Sequence, residues 1–170
     1  MKIKIFLALA ALVLLGLSQP TSAQSKNKTI VLVRHTEKST AVANDPDPEL
    51  SAEGKERAQR FMKLANKYKP HEIFSTGYKR TRQTAEPIAA ERRKEIQTYD
   101  PAKPADLVAK IMASDTDHNL IVGHSNTIPA LANLIAKKEV FRNLLDTEYG
   151  VFWVIRMKKG VLKKIEVFPY

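Results

Sequence analysis

Short apolar runs alternate with amphipathic stretches along the chain, and this alternation predicts strands that alternate with helices. The apolar runs are rich in Ile and Val and end in polar residues or glycine, as buried strands do. The predicted strands are Thr29–Val33, Glu72–Ser75, Ile96–Tyr99 and Asn119–Val122. The stretches between them have helical spacing of apolar residues. The predicted helices are one capped by Ser51 and ended by Pro70, then Tyr78–Arg92, Ala105–Ala113 and Asn126–Ala136. Pro87 is expected to kink or split the second of them.

The C-terminal part of the sequence has a different pattern. The segments "VFWVIRM" and "VLKKIEVF" flank Lys158-Lys159-Gly160, which predicts a β-hairpin. Strands that alternate with helices favour βαβ units and a parallel sheet with helices on both faces. The predicted fold is therefore α/β: a three-layer α/β/α sandwich with a mostly parallel sheet and a C-terminal antiparallel hairpin.

The N-terminal residues have the layout of a secretory signal peptide. Two lysines precede an apolar run from Ile5 to Leu17, and small residues end at Ala23. We predict a signal peptide at 1–23 and a single domain at 24–170, with 170 − 23 = 147 residues. The mature protein is then exported, periplasmic or secreted, with no stable membrane insertion. An uncleaved N-terminal anchor is the alternative, and the absence of cysteine excludes disulfides and attachment of lipid to a cysteine.

The charge of the chain favours acidic partners. The formal net charge is +10, and loss of Lys2 and Lys4 with the signal peptide leaves +8. Phosphorylated metabolites, anionic surfaces and nucleic acid all fit such a charge. The cations are scattered, however, and no basic ribbon with interleaved aromatic residues is present. We therefore predict no nucleic-acid partner; the charge-based alternative would require duplex binding that falls steeply with salt.

Three predicted strands end in polar groups that suit a phosphoryl ligand. Arg34-His35 follows the first strand, Ser75-Thr76-Gly77 with Arg80 follows the second, and Gly123-His124-Ser125-Asn126 follows the fourth. Parallel connections place these turns on one edge of the sheet, where ligands of such sheets bind. Guanidinium groups pair with phosphate oxygens in a bidentate manner, and a neutral imidazole nitrogen can attack phosphorus. This chemistry requires no metal and no cofactor.

Four motifs in order carry a resemblance to a known family. "VLVRHTEK", "LSAEGKERAQ", "IFSTGYKRTRQTAEPIA" and "LIVGHSNTIPAL" resemble the histidine phosphatase superfamily, which has the phosphoglycerate mutase-like fold. The resemblance extends from Ile30 to Phe168. The chain is similar to the small branch of this superfamily, because Ser125 follows His124. In the acid phosphatase and phytase branch, an aspartate follows the second histidine.

The resemblance implies a role for each matching residue. His35 is the nucleophile that becomes phosphohistidine, and Arg34 beside it holds the phosphate. Arg80 is the second phosphate clamp. His124 stabilises the phosphoryl group during transfer, and Ser125 either lines the phosphate pocket or caps the helix.

The sequence departs from the family pattern at two points. Thr36 replaces the glycine of the common arginine-histidine-glycine motif, and its hydroxyl is a candidate phosphate ligand. The general acid for the leaving oxygen has no motif of its own. Asp100 is our candidate for it, with Glu37 as the alternative.

These observations predict an exported, metal-independent phosphatase that hydrolyses phosphomonoesters, phosphohistidine or acyl phosphate through a phosphohistidine intermediate on His35. The expected partner is a small phosphorylated substrate or a phosphoprotein, and water accepts the phosphoryl group. The alternative is a module of the same fold that binds phosphate or a phosphorylated ligand without turnover.

Overall fold

A computed structural model of the chain describes residues 27–170, in which a six-stranded sheet lies between two layers of helices. The strands are β1 Lys28–Arg34, β2 Glu72–Ser75, β3 Ile96–Thr98, β4 His118–Gly123, β5 Val151–Lys158 and β6 Val161–Pro169. The helices are α1 Ala52–Ala65, α2 Lys79–Arg92, α3 Pro104–Ala113 and α4 Thr127–Ala136, with a 3₁₀ turn at Asn66–Tyr68. The predicted signal peptide lies outside the described residues.

The strand order is β3-β2-β4-β1-β5-β6. Strands β1 to β4 are parallel, β5 is antiparallel to β1, and β6 is antiparallel to β5. The predicted hairpin is thereby confirmed as the antiparallel end of the sheet. The four parallel strands end at one edge, which we call the carboxyl edge. The β5–β6 turn lies at the opposite, amino edge, where Lys28 is paired with Met157.

Alternation along β1 explains the three layers. Ile30 and Leu32 face a cluster that includes residues of α3 and α4, whereas Val31 and Val33 face a cluster with residues of α1 and α2. All four are fully buried or nearly so. A strand that is apolar on both faces is typical of a parallel sheet covered by helices on both sides, so the predicted α/β/α sandwich is confirmed.

Two local predictions have different outcomes. Ser51 caps α1 as expected, since its hydroxyl accepts a hydrogen bond from the Gly54 N–H at 3.0 Å. Pro87 does not split α2, which continues to Arg92. Within residues 27–170, no helix combines the length and apolar character needed to cross a membrane.

Candidate active site

The three polar turns meet at the carboxyl edge, around a cleft of about 360 Å³. Arg34 and His35 stand at the end of β1, Arg80 lies in the first turn of α2, and His124 follows β4. All four line the cleft. The ring centroids of the two histidines are 5.5 Å apart. The structure thus brings together the four residues to which the family resemblance gives the phosphoryl chemistry.

A backbone contact sets the tautomer of His35. Its Nδ1 lies 2.7 Å from the carbonyl oxygen of Thr36. A carbonyl oxygen only accepts, so Nδ1 must carry the proton and donate. The lone pair of the neutral ring is then on Nε2. Because His35 is 4% exposed, this contact also fixes the direction of the ring.

Burial and nearby cations keep both histidines neutral. Burial is the main cause that lowers the pKa of His35 to about 3, and the charges of Arg34, His124 and Arg80 add to it against the opposing Thr36 contact. Burial, Arg80 and Arg34 in that order lower the pKa of His124 to about 4. At neutral pH the site therefore contains two uncharged imidazoles beside two guanidinium groups.

The lowered pKa values predict a loss of stability in acid. Below pH 6.5 the unfolded chain binds protons at these histidines that the folded chain does not bind until about pH 4 and pH 3. The free energy of unfolding should therefore fall as the pH is lowered through that range, by up to about 1.4 kcal/mol per pH unit for each histidine. Urea unfolding of wild type and His35→Gln at pH 7 and pH 4.5 measures this.

His71→Gln is the matched control, because His71 is an exposed histidine at the amino edge. The wild type and this variant should lose similar stability in acid, and His35→Gln should lose less. Equal losses in all three proteins would contradict a buried, uncharged His35.

A chain of hydroxyl groups orients His124. The Thr81 hydroxyl donates to the Tyr78 carbonyl at 2.8 Å. The same Thr81 oxygen lies 2.8 Å from Thr76 Oγ1, and Thr76 Oγ1 lies 3.0 Å from His124 Nε2. If the Thr81 proton goes to the carbonyl, Thr76 donates to Thr81 and accepts from Nε2–H of His124. That arrangement leaves Nδ1 of His124 for a ligand.

Arg34 is held by residues 145–149, which we call the strap. Its Nη1 donates to the carbonyls of Leu145 at 2.7 Å and Glu148 at 3.0 Å. The guanidinium carbon lies 4.0 Å from the centre of the Tyr149 ring, and Nη2 lies 3.8 Å from a carboxylate oxygen of Asp146. Arg34 is 3% exposed, and its Nε has no partner among the described residues. The side chain is fixed on one side and can meet an anion on the other.

Arg80 has weaker partners. Its guanidinium stacks on the Tyr78 ring at 4.3 Å, and Nη1 is 3.6 Å from Asp47, which is too long for a hydrogen bond. Nη1 is buried, with no hydrogen-bond partner in residues 27–170. Because an unpartnered buried donor is costly, this atom suits an anionic ligand that enters the cleft.

The structure does not support the predicted phosphate contact of Thr36. Its hydroxyl donates to the Gly54 carbonyl at 2.8 Å, and its N–H donates to Thr84 Oγ1 at 3.0 Å. Thr36 is fully buried and does not line the cleft. No Cβ fits at Gly54, since it would collide with the carbonyl of Glu37. Thr36 therefore anchors the loop after His35 to α1 and α2, which explains how the chain accommodates it in place of glycine.

The two predicted acids both lie outside the cleft. Asp100 is exposed, accepts a hydrogen bond from the Ala102 N–H at 2.9 Å, and lines a separate cavity. Glu37 accepts from Arg57 Nε at 2.6 Å in an ion pair of largely buried side chains. Neither carboxylate is among the groups that line the phosphoryl cleft. The turn after Asp100 and the pairing with Arg57 account for these positions.

Other cleft residues were not predicted from the sequence, or were predicted only in part. Asp146 and Lys38 line the cleft, and Asp146 is the one carboxylate among its described lining residues. Ser125 also lines it, as one of its two predicted roles requires, while its carbonyl accepts from the Leu144 N–H at 2.9 Å. Asp146 belongs to a loop without periodicity, so only the strap contacts to Arg34 reveal it.

Comparison with known proteins agrees with this geometry. The sequence profile of the histidine phosphatase superfamily (branch 1) matches residues 30–103. No curated protein sequence matches the chain. Among solved structures, a mycobacterial glucosyl-3-phosphoglycerate phosphatase is 14% identical over 85% of this chain and 99% of its own, with a TM-score of 0.64. The protein histidine phosphatase SixA, in complex with tungstate, is 10% identical over 83% and 96%, with a TM-score of 0.66.

A third structure, a mycobacterial hydrolase, is 15% identical over 85% of this chain and 99% of its own, with a TM-score of 0.65. At such identities the structural likeness shows the common fold. The matched range includes Arg34, His35 and Arg80. Residues 30–103 of the chain match the histidine phosphatase superfamily, branch 1, and the whole fold is the one that the phosphatases named above share.

Proposed function

We propose that the protein is a metal-independent phosphatase that transfers a phosphoryl group to His35 and then to water. One observation carries the proposal. The uncharged imidazole of His35 is fixed in position, and its Nε2 carries a lone pair in a cleft lined by Arg34, Arg80 and His124. A nucleophile of this kind needs no general base. We also propose export of the protein, on the support of the N-terminal sequence pattern alone.

The reaction has two steps that share one set of electrostatic partners. In the first, Nε2 of His35 forms a bond to phosphorus while the bond from phosphorus to the leaving oxygen breaks. In the second, a water oxygen attacks phosphorus, the phosphorus–nitrogen bond breaks, and its electron pair returns to Nε2. The proton that water loses passes to the carboxylate that protonated the leaving oxygen in the first step. Arg34 and Arg80 would neutralise charge on the equatorial oxygens in both steps, and His124 would join them once its Nδ1 takes a proton from a substrate that enters as the phosphate monoanion.

The leaving oxygen of an alkyl phosphate needs a proton, and Asp146 is the carboxylate best placed to supply it. Its Oδ1 lies 3.8 Å from Nη2 of Arg34. A bound phosphoryl dianion competes for that guanidinium and places negative charge beside the carboxylate.

The variant Asp146→Asn tests this assignment through its dependence on the leaving group. We expect kcat/KM for an alkyl phosphate to fall by about 10²–10³-fold, because a positioned acid typically contributes about 10²–10⁴-fold. Hydrolysis of an aryl phosphate with an acidic phenol should change less than about tenfold, since that leaving group departs without a proton.

Asp100→Asn is the matched control, because the same change is made at the carboxylate predicted from the sequence. It should leave both substrates close to wild type. If kcat/KM for the alkyl phosphate falls selectively in Asp100→Asn and does not fall in Asp146→Asn, the general acid is Asp100 and not Asp146.

The form of the cleft supports a phosphoryl group carried by a small molecule or by a protein side chain. The cleft is shallow enough to leave Lys38 and Asp146 exposed at its margin. Two proteins of the same fold are named as a glucosyl-3-phosphoglycerate phosphatase and a protein histidine phosphatase. We expect hydrolysis of both classes, with water as the acceptor.

Acid-quenched mass spectrometry tests the core of the proposal. The protein is mixed briefly with an aryl phosphate, quenched, digested rapidly, and analysed for a phosphoryl adduct on the peptide that contains His35. We expect an adduct that forms and decays with turnover and is absent from His35→Ala. Folded protein that binds phosphate but forms no adduct and releases no phosphate would instead be a binding module of this fold.

A further inference from the structure

Cations occupy backbone positions at the amino edge that favour glycine. Five non-glycine residues of the described chain have a left-handed backbone, and four of them are lysine or arginine. They are Lys69 (φ 48°), Arg93 (53°), Lys137 (54°) and Lys159 (51°). The first three end the 3₁₀ turn, α2 and α4, and the fourth lies in the β5–β6 turn. All four side chains are exposed.

The backbone geometry gives no reason for a cation at these positions. Glycine adopts a left-handed conformation without a steric penalty, and it is the usual residue at such helix ends. The helix dipole favours a cation at the end of α2 or α4. It does not account for Lys159, which follows a strand. None of the four side chains forms an ion pair within residues 27–170.

These cations belong to a broad basic face. The segments that meet the amino edge are 66–71, 93–95, 114–117, 137–139 and 158–160. Together they contain eight lysines and arginines and four carboxylates, a net charge of 8 − 4 = +4. They reach from β3 at one side of the sheet to β5 and β6 at the other. Six strands at about 4.8 Å spacing make this face roughly 24 Å wide, far wider than one small anion.

We propose that this basic face docks on the surface of an anionic lipid bilayer, with the catalytic cleft at the opposite edge turned towards the solvent. The width of the face suits an extended anionic plane. Val161 is 57% exposed just after the Lys158–Gly160 turn and adds an apolar contact for the headgroup region.

Nucleic acid fits this face less well. Base stacking requires accessible aromatic rings, and Tyr68, the one phenylalanine, tyrosine or tryptophan in these segments, packs against Phe152 with ring centroids 6.2 Å apart. The peripheral contact proposed here is compatible with the predicted absence of stable membrane insertion, because it uses charge and no spanning helix.

The test replaces the four left-handed cations by glycine: Lys69→Gly, Arg93→Gly, Lys137→Gly and Lys159→Gly in one protein. Glycine relieves the left-handed backbone, so the fold and the hydrolysis of an aryl phosphate should be retained. Each cation near an anionic leaflet contributes about fivefold to binding. Binding to phosphatidylcholine vesicles that contain phosphatidylglycerol, measured by co-sedimentation, should therefore fall by about 10²–10³-fold.

A matched variant removes four exposed cations from other faces: Lys55→Gln, Arg60→Gln, Lys103→Gln and Lys110→Gln. Its vesicle binding should fall by less than about tenfold, because these residues lie away from the membrane. Wild-type binding should also decrease as salt is raised and be weak on phosphatidylcholine alone.

Three results would overturn the proposal. Equal binding to neutral and anionic vesicles would assign membrane contact to apolar segments and not to the basic face. Equal losses in the two quadruple variants would indicate a general effect of net charge. Duplex DNA binding that depends on the four left-handed cations, without vesicle binding, would assign the face to nucleic acid. Retained hydrolysis in the glycine variant separates each of these from failure of the phosphatase proposal.

Discussion

Replacement of His35 by alanine is expected to abolish hydrolysis of every phosphorylated substrate while the protein remains folded. Removal of a nucleophile that forms a covalent intermediate typically costs about 10⁶-fold in kcat. We expect no replacement by His124, the second cleft imidazole, because its contact with Thr76 holds the ring in its own position and away from that of His35. Steady-state release of phosphate from an aryl phosphate measures the loss, and a thermal melt verifies the fold.

His35→Asn sharpens this test. Asparagine keeps an N–H that can donate to the Thr36 carbonyl but has no nucleophilic lone pair on nitrogen. It should be as inactive as alanine and closer to wild type in stability. Turnover above about 1% of wild type in either variant would mean that water attacks phosphorus directly and that His35 has only a positioning role.

Replacement of Arg80 by alanine has the second largest expected effect. Its guanidinium lies at the start of α2 with a buried, unpartnered Nη1, so phosphate is its natural partner in the cleft. Loss of one preorganised donor to the transition state costs about 10²–10³-fold. We expect a decrease of this size in kcat/KM. Stability should change little, because the distant and partly exposed Asp47 pairing is worth at most about 1 kcal/mol.

Two comparisons define what the Arg80 result means. Arg82→Ala removes the same side chain two residues further along α2, outside the cleft lining, and should retain near-wild-type kcat/KM. Arg80→Lys should restore only part of the activity, because an ammonium cannot form the bidentate contact. If Arg80→Ala and Arg82→Ala lose activity equally, general charge and not a specific clamp governs phosphate binding.

The fold was largely predictable because hydrophobic periodicity determines it directly. The strand Glu72–Ser75 has the predicted bounds, and the other strands differ from prediction by one or two residues at their ends. Pro87 is the one position where a local signal was misleading, because a proline predicts a break in a helix and α2 continues through it. The apolar face of α2 at Ile88 and Ala89 is buried against the sheet, and this packing keeps the helix continuous. Tertiary packing outweighed a local signal at that point.

The site was predictable where residues directly follow a strand. The end of a parallel strand fixes the position of Arg34, His35 and His124, and the sequence therefore brings them to one edge. Hydroxyl and carboxyl groups on loops lack that constraint. The direction of the Thr36 hydroxyl depends on the position of the Gly54 carbonyl, and the place of Asp146 depends on how the strap folds over Arg34. Such contacts join residues far apart in the sequence and leave no periodic signal.

Arg34 lies between the strap and the cleft, and it therefore couples the order of the strap to the binding of an anion in the cleft. Nη1 holds the carbonyls of Leu145 and Glu148, while Nη2 is close to the cleft carboxylate of Asp146. An anion that restricts this guanidinium also orders the strap, and linkage requires any ligand that orders the strap to strengthen anion binding by the same factor. The outer surface of the strap, where Leu145 is 62% exposed, is therefore a place from which affinity for phosphate can be tuned without contact to a catalytic side chain.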